Sequence, residues 1–343
     1  MALNHELVRR GVSVRCVVAA VSGPGRVEQV DGVEVTRVAT RGTLFSQPLA
    51  FGLPLAVRRA PGDVVHVHHP NPLGDLAALA DRRRPLVVTQ HSDIVRQRAL
   101  RTAYWPIVRA VMRRARFVVA ASEQLLRSSS ELRPFAPKVR VIPYGIDPSR
   151  FDATPALLER SRELRAGWPE GRIVLTVGRL VGYKGHDVLL KAARSLDATV
   201  VIVGGGPEQA RLRSLAGPRA VLAGSVPDAD LPAYYHAADV FCLPSVTAAE
   251  AFGVVLLEAM ACGLPLVTTS LPTGVSAVNR DGRTGLAVPP GRPDALREAL
   301  AALLGDEARR TAMGREARRV LEEEYTAALM AERYITLYRE ALA

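Results

Sequence analysis

Aromatic residues are scarce: Phe, Trp and Tyr make up 5% of the 343 residues. The cores must therefore be built mainly from Leu, Val and Ala. Cysteine is scarcer still. Cys16, Cys242 and Cys262 are isolated, odd in number and each set in an apolar stretch. That is the pattern of buried free thiols, not of a disulfide framework. No CxxC pair or Cys/His cluster suggests zinc. His66, His68 and His69 crowd one segment, but a strand would put His66 and His68 on one face and His69 on the other. With no carboxylate or thiol beside them, no metal site is expected. There is no signal-peptide pattern and no apolar run of membrane-spanning length. The expected location is cytoplasmic, at most resting on the inner face of a membrane. The run Gly204-Gly205-Gly206-Pro207-Glu208 does not complete a GxGxxG fingerprint, since Gln stands at 209, and no GK[ST] follows it. Those absences count against dehydrogenase and ATPase readings.

Apolar residues supply 48% of the chain, enough for real cores, and its length exceeds what one core usually organises. Two domains are expected. The formal net charge of +11 favours phosphate-rich partners. It does not make a nucleic-acid binder, because no aromatic-basic recognition motif accompanies it. Short apolar strands alternate with helices in both halves, at 14–19, 33–38, 63–68, 86–89 and 117–121, then at 173–177, 199–203, 220–223, 240–243 and 266–269. Such alternation predicts a parallel sheet in each half, with ligands beyond the carboxyl ends of the strands. The chain reads as 1–168, 169–325 and a last helix at 326–343, with the linker near 166–170. Residues 96–117 carry seven arginines with Tyr104 and Trp105 between them. Two readings stay open for this segment: a peripheral contact with anionic membrane, or a solvated helix face.

Three segments look like chemistry. In the first, a strand ends at Pro244-Ser245, a polar loop leads to Glu250-Ala251-Phe252-Gly253, and an apolar helix carries Glu258. Free N–H groups of Gly253, Val254 and Val255 at that helix opening would make an anion site, reinforced by the helix dipole. A carboxylate inside an apolar helix is costly without partners, and ribose hydroxyls are suitable ones. A solvent-exposed Glu258 is the competing reading. In the second, Val177-Gly178-Arg179-Leu180-Val181-Gly182-Tyr183-Lys184-Gly185 places two cations around a glycine-rich loop. They could neutralise the phosphates of a leaving nucleoside diphosphate, or be ordinary surface charges. The third is the glycine run at 204–206. His91, at a strand end before Ser92-Asp93, could face a cleft between the domains, or be an ordinary structural histidine.

Together these segments resemble the family 4 retaining glycosyltransferases of the GT-B fold. EAFGVVLLE matches their E-x7-E motif, VGRLVGYKG their Gly-Arg…Lys loop, VIPYGID the segment leading into their linker, and HSDIV the bacterial polysaccharide mannosyl- and related transferases. The resemblance implies two Rossmann-like domains facing a cleft, and a hexose moved from a nucleoside-diphosphate sugar, GDP-mannose-like by the HSDIV segment. The acceptor would be a glycan or a lipid-linked sugar in cell-envelope synthesis. Arg179 and Lys184 would hold the pyrophosphate and Glu250 the sugar near the reacting centre. Glu258 would bind ribose. Phe252, Gly253, Val254 and Val255 would meet sugar and phosphate by their backbone. Gly205, Ser225 and Val226 would lie near phosphate and base, and His91 would line the sugar end. No cofactor and no metal would be needed. The last helix would cross back to the N-terminal domain. By this resemblance a first strand and glycine-rich loop would be expected before 3–10, and a chain without them would have a gap in its N-terminal sheet. A shortened, weakly active nucleotide binder and a GT-B nucleotide-sugar epimerase are the alternatives.

Overall fold

The computed structural model describes residues 2–44, 47–93 and 98–343. They form two compact units, Met1–Gly145 with Ala327–Ala343, and Ile146–Thr326. In the first unit β1 (Arg15–Ala19), β2 (Arg26–Val30) and β3 (Val33–Val38) form one sheet in the order β1-β3-β2. A short hairpin, β4 (Thr43–Leu44) with β5 (Gln47–Pro48), follows. Then β6 (Val65–His69), β7 (Leu86–Gln90), β8 (Phe117–Ala120) and β9 (Val139–Val141) make an all-parallel sheet in that order. Among the described residues no ladder joins β1 to β6. Among the described residues, the half that reads as one sheet in sequence is thus two larger sheets and the short hairpin.

The second unit is a single six-stranded parallel sheet. Its strands are β10 (Arg172–Val177), β11 (Ala198–Val203), β12 (Ala220–Gly224), β13 (Val240–Leu243), β14 (Leu266–Thr269) and β15 (Gly285–Val288), in the order β12-β11-β10-β13-β14-β15. The order reverses between β10 and β13, the point where doubly wound sheets open a crevice beyond their carboxyl ends. β11, β13 and β14 are buried along their whole length. That is what continuous Val/Ile/Leu runs specify when helices cover both faces. Val174, Val200, Ile202, Val240, Cys242 and Val267 form one side of this core with Leu189, Leu300 and Leu303 from the helices.

The second unit begins at Ile146, ahead of the 168/169 boundary expected from sequence. The physical reason is packing. Phe151 meets Tyr235 edge-on at 5.9 Å. The helix Pro155–Ala166, capped by Thr154, holds Arg165 2.8 Å from Asp239. The helix Ala327–Leu342 belongs to the first unit, where Met330, Tyr334, Leu337 and Ala341 pack on Val87, Phe117, Val119 and Ile142.

Residues 94–97 lie outside the described residues. Over Arg98–Arg114 the chain is helical, but Tyr104 and Trp105 pack into the core of the first unit instead of lying free for a membrane interface. Tyr104 also donates to the buried Asp75. Arg114 turns inward, donating to the carbonyls of Asp81 and Arg84. Arg109, Arg113 and Arg116 remain exposed. The thiols differ from expectation as well: Cys242 is buried, whereas Cys16 and Cys262 are half-buried, and all three are free. No described helix is long and apolar enough to cross a membrane.

Candidate active site

The loops singled out in the sequence converge at the carboxyl end of the second unit's sheet. The β10 and β11 loops are hydrogen-bonded to each other, Gly178 N to Val203 O and Leu180 N to Gly205 O, both at 2.9 Å. Gly204 N then reaches Gly224 O at the end of β12, at 2.7 Å. On the other side Val246 N, after β13, donates to Tyr183 O at 2.8 Å. Side chains would not fit between these loops. A Cβ on Gly204 would lie 2.0 Å from Gly178 O, and one on Gly206 would lie 2.4 Å from Leu180 O.

Two predicted residues from different motifs meet here. Lys184 Nζ lies 2.6 Å from Glu250 Oε2, and both residues are almost fully buried. Ser245, wholly buried, donates to the same carboxylate oxygen at 3.1 Å. Thr269 in turn donates to the Ser245 carbonyl. Arg179 differs in kind: it is exposed, and its side chain makes no hydrogen bond or ion pair among the described residues. One cation is therefore held in place by protein charge, and the other is free to meet an incoming anion.

Glu250 leads into the helix Val254–Ala261, whose N-cap Gly253 sits at φ 78°, ψ 61° with no side-chain cap. The first-turn N–H groups of Val254 and Val255 therefore lack intrahelical acceptors, and the helix dipole favours an anion beside them. Phe252 is 3% exposed and stands edge-on to Tyr325, so what it can offer a ligand is its backbone. Glu258 is half-buried rather than solvated. Its Oε2 accepts from the Tyr235 hydroxyl at 2.6 Å. Burial pushes its pKa up, against the opposing pull of Tyr235 and Arg150. Gly205 lies against Ser225, whose Oγ would be 2.6 Å from a Cβ there. Ser225 is exposed and Val226 half-buried.

His91 lies in the first unit. Its Nε2 is 2.9 Å from His68 Nδ1, and its Nδ1 is hydrogen-bonded to the Tyr144 hydroxyl. Both ring nitrogens are thus engaged. Burial, then the neighbouring His68 and His69, lower its pKa to about 4, so the ring is neutral at pH 7. His66 is bonded to Tyr338 and Thr89 at 2.7 Å each, while His69, on the opposite face, is bonded to Asp75. Among the described residues no three His, Cys, Asp or Glu side chains are placed to hold a metal ion.

Sequence reading missed Ser245, Tyr235 and His186. Ser245 and Tyr235 were polar tips in apolar surroundings, the only signal available. His186 opens the helix His186–Ala193, is 3% exposed and has no partner for Nδ1. Burial and the nearby Lys184 lower its pKa to about 4. A histidine depressed below its unfolded value leaves stability intact at neutral pH. It removes stability as pH falls from about 6.5 to 4, because only the unfolded chain takes the proton there. The expected loss from His186 is about 3 kcal/mol by pH 4. Urea titrations at pH 7 and pH 4.5 check this: His186→Leu should shrink the difference by roughly 2 kcal/mol, and an unchanged difference refutes it.

A second groove, of 530 Å³, lies at the opposite end of this sheet, lined by Phe151, His236, Cys262, Arg310 and Arg315. None of the site residues expected from sequence lines it. The parallel sheet, its converging glycine loops and the carboxylate pair around a helix opening lie together in the second unit. The model described as Glycosyl transferases group 1 matches residues 163–320, and that of Glycosyltransferase Family 4 matches residues 1–150. The D-rhamnosyltransferase WbpZ of Pseudomonas aeruginosa is 38% identical over 303 residues, covering 84% of this chain and 78% of that protein. A GDP-mannose-dependent alpha-(1-6)-phosphatidylinositol monomannoside mannosyltransferase of Mycolicibacterium smegmatis is 34% identical over 262 residues, covering 71% of this chain and 66% of that protein. In fold, the chain is similar to the sucrose-phosphate synthase of Thermosynechococcus elongatus, with a TM-score of 0.80 at 22% identity over 98% of this chain and 91% of that one. The chain belongs to family 4 of the glycosyltransferases.

Proposed function

We propose that this glycosyltransferase moves a manno-configured hexose from a GDP-linked donor to a glycan or lipid-linked acceptor, with retention of anomeric configuration. The observation that carries the reading is the placement of Lys184, Glu250, Arg179, Glu258 and the open helix end at one end of one sheet. Its sugar and nucleotide rest on the relatives: one is named for D-rhamnose, a 6-deoxymannose, and one for GDP-mannose.

In this reading Arg179 and Lys184 stabilise the pyrophosphate as the bond from C1 to the phosphate oxygen breaks. The backbone N–H groups of Val254 and Val255 share that charge. Glu250 holds sugar hydroxyls near C1, and Glu258 holds ribose. Gly205, Ser225 and Val226 border phosphate and base. The acceptor oxygen bonds to C1 on the face the phosphate leaves, and its proton passes to the departing phosphate oxygen. The two cations supply the positive charge the step requires, so no cofactor is assigned. The exposed Arg109, Arg113 and Arg116 support a contact with an anionic membrane face near a lipid-linked acceptor. Liposome flotation tests it, and absence of binding at low salt refutes it.

Nucleotide release from GDP-, UDP- and ADP-sugars tests the function, with Glu250→Gln as control. Selective release from GDP-mannose or GDP-D-rhamnose, lost in the control, is the expected result. Release from UDP- or ADP-sugars alone overturns the donor assignment. Donor consumption without an acceptor, with proton exchange at C2, identifies an epimerase. Nucleotide binding without any release identifies a binding protein.

A further inference from the structure

Tyr235 belongs to no motif, yet it is among the most completely buried large side chains of the second unit, at 0% exposure. It lies on the helix Leu231–His236, with its ring against Phe151 at 5.9 Å and Phe241 at 5.6 Å. Those contacts account for the ring but not for the hydroxyl. The hydroxyl reaches across to the helix Val254–Ala261 and donates to Glu258 Oε2 at 2.6 Å, with the Val255 carbonyl further off at 3.4 Å. A distance of 2.6 Å falls in the range of charge-assisted O–H···O⁻ bonds.

We propose that Tyr235 is a positioning residue for the nucleotide ribose: its hydroxyl pins Oε2 of Glu258 so that Oε1 is presented to the ribose diol. This rests on the reading that Glu258 meets ribose. A carboxylate accepts at two oxygens, and the torsion that turns them is soft. Left to itself in a partly apolar helix, Glu258 would spread over several orientations and would have to be ordered by each incoming ligand. With Oε2 tied to a hydroxyl that cannot move, the second oxygen points one way. The same device recurs at the other carboxylate of the pair, where buried Ser245 and Lys184 both take Oε2 of Glu250. The two carboxylates are thus each held at Oε2 by a buried hydroxyl, Tyr235 for Glu258 and Ser245 for Glu250.

The consequence is a ligand-selective defect. Removing the hydroxyl should weaken whatever contacts Glu258 and leave phosphate and base contacts unchanged. The test is calorimetric titration of the full chain and of Tyr235→Phe, which keeps the ring packing. The titrant is whichever of GDP, UDP and ADP binds most tightly, beside its 2′,3′-dideoxy form. The wild type should prefer the ribose form. Tyr235→Phe should lose about tenfold for that form, as oriented ligands do when their supporting hydrogen bond is removed, and bind the dideoxy form unchanged. In turnover, KM for the donor should rise more than kcat falls. Equal binding of the ribose form by wild type and variant overturns the proposal. So does an equal loss for both ligands, which would mark general damage. A wild type that binds no nucleoside diphosphate, or does not distinguish the two forms, overturns the underlying reading of Glu258 instead. If Tyr235→Phe does not fold, Glu258→Asp draws the carboxylate out of reach of Tyr235. The same selective loss is then expected, and unchanged affinity overturns the proposal.

Discussion

Lys184→Ala should abolish measurable transfer and destabilise the second unit together. Lys184 and Glu250 are 9% and 7% exposed and lie 2.6 Å apart. Taking away one member of such a pair leaves an uncompensated buried charge, at a cost of about 3–5 kcal/mol. Loss of a cation aimed at developing phosphate charge should reduce kcat/KM by roughly 10²–10³-fold on its own. The two effects can be separated. Arg179→Ala removes an exposed cation with no partner among the described residues. It should reduce transfer and leave the melting temperature within a degree or so of wild type, as surface substitutions do. Replacing both buried partners by apolar residues, Lys184→Met with Glu250→Leu, should recover much of the lost stability and none of the activity. If Lys184→Ala transfers normally, Lys184 is a structural charge and the assignment to phosphate is wrong.

Much of this site was legible before any coordinates. Glycines at 178, 185, 204 and 253 adopt positive φ, and in a sequence such residues at strand ends announce loops that approach something closely. The pair Glu250 and Glu258 around an apolar helix opening was equally plain. What sequence could not supply were partners far apart along the chain. Nothing in the order of residues says that Lys184 lies against Glu250, that Tyr235 reaches Glu258, or that Tyr104 turns inward to Asp75. An aromatic between arginines reads as an interfacial anchor until a buried carboxylate twenty-nine positions earlier is found beneath it. The unit boundary was missed for a related reason. The helix Pro155–Ala166 is polar on most sides, and what assigns it is an ion pair with Asp239, remote in sequence.

Gly185→Ala tests whether the loops must stay this close. Gly185 sits at φ 69°, ψ 21°, the left-handed region, where alanine costs about 1 kcal/mol. The larger obstacle is contact. A Cβ there would lie 2.1 Å from the Pro244 carbonyl oxygen, a backbone atom with no flexible end to swing aside. The two loops would have to part by roughly 1 Å, since a carbon and an oxygen need more than 3 Å between them. That same gap is spanned by Val246 N to Tyr183 O at 2.8 Å and by the Lys184–Glu250 pair at 2.6 Å. Misplacement of about 1 Å at a reacting centre can cost 10²-fold, and that is the expected fall in kcat/KM. Gly182, three residues earlier in the same loop, is the control. A Cβ there would meet nothing within 4 Å, and its φ is not in the left-handed region. Gly182→Ala should keep transfer and stability near wild type. One methyl group is added in each variant, in one loop, so composition and charge are matched. Loss in Gly185→Ala alone means that the approach of the loop to Pro244 is needed for transfer. Equal behaviour of the two variants means that the loops can separate without harm, and then the Lys184–Glu250 contact cannot be what sets the rate.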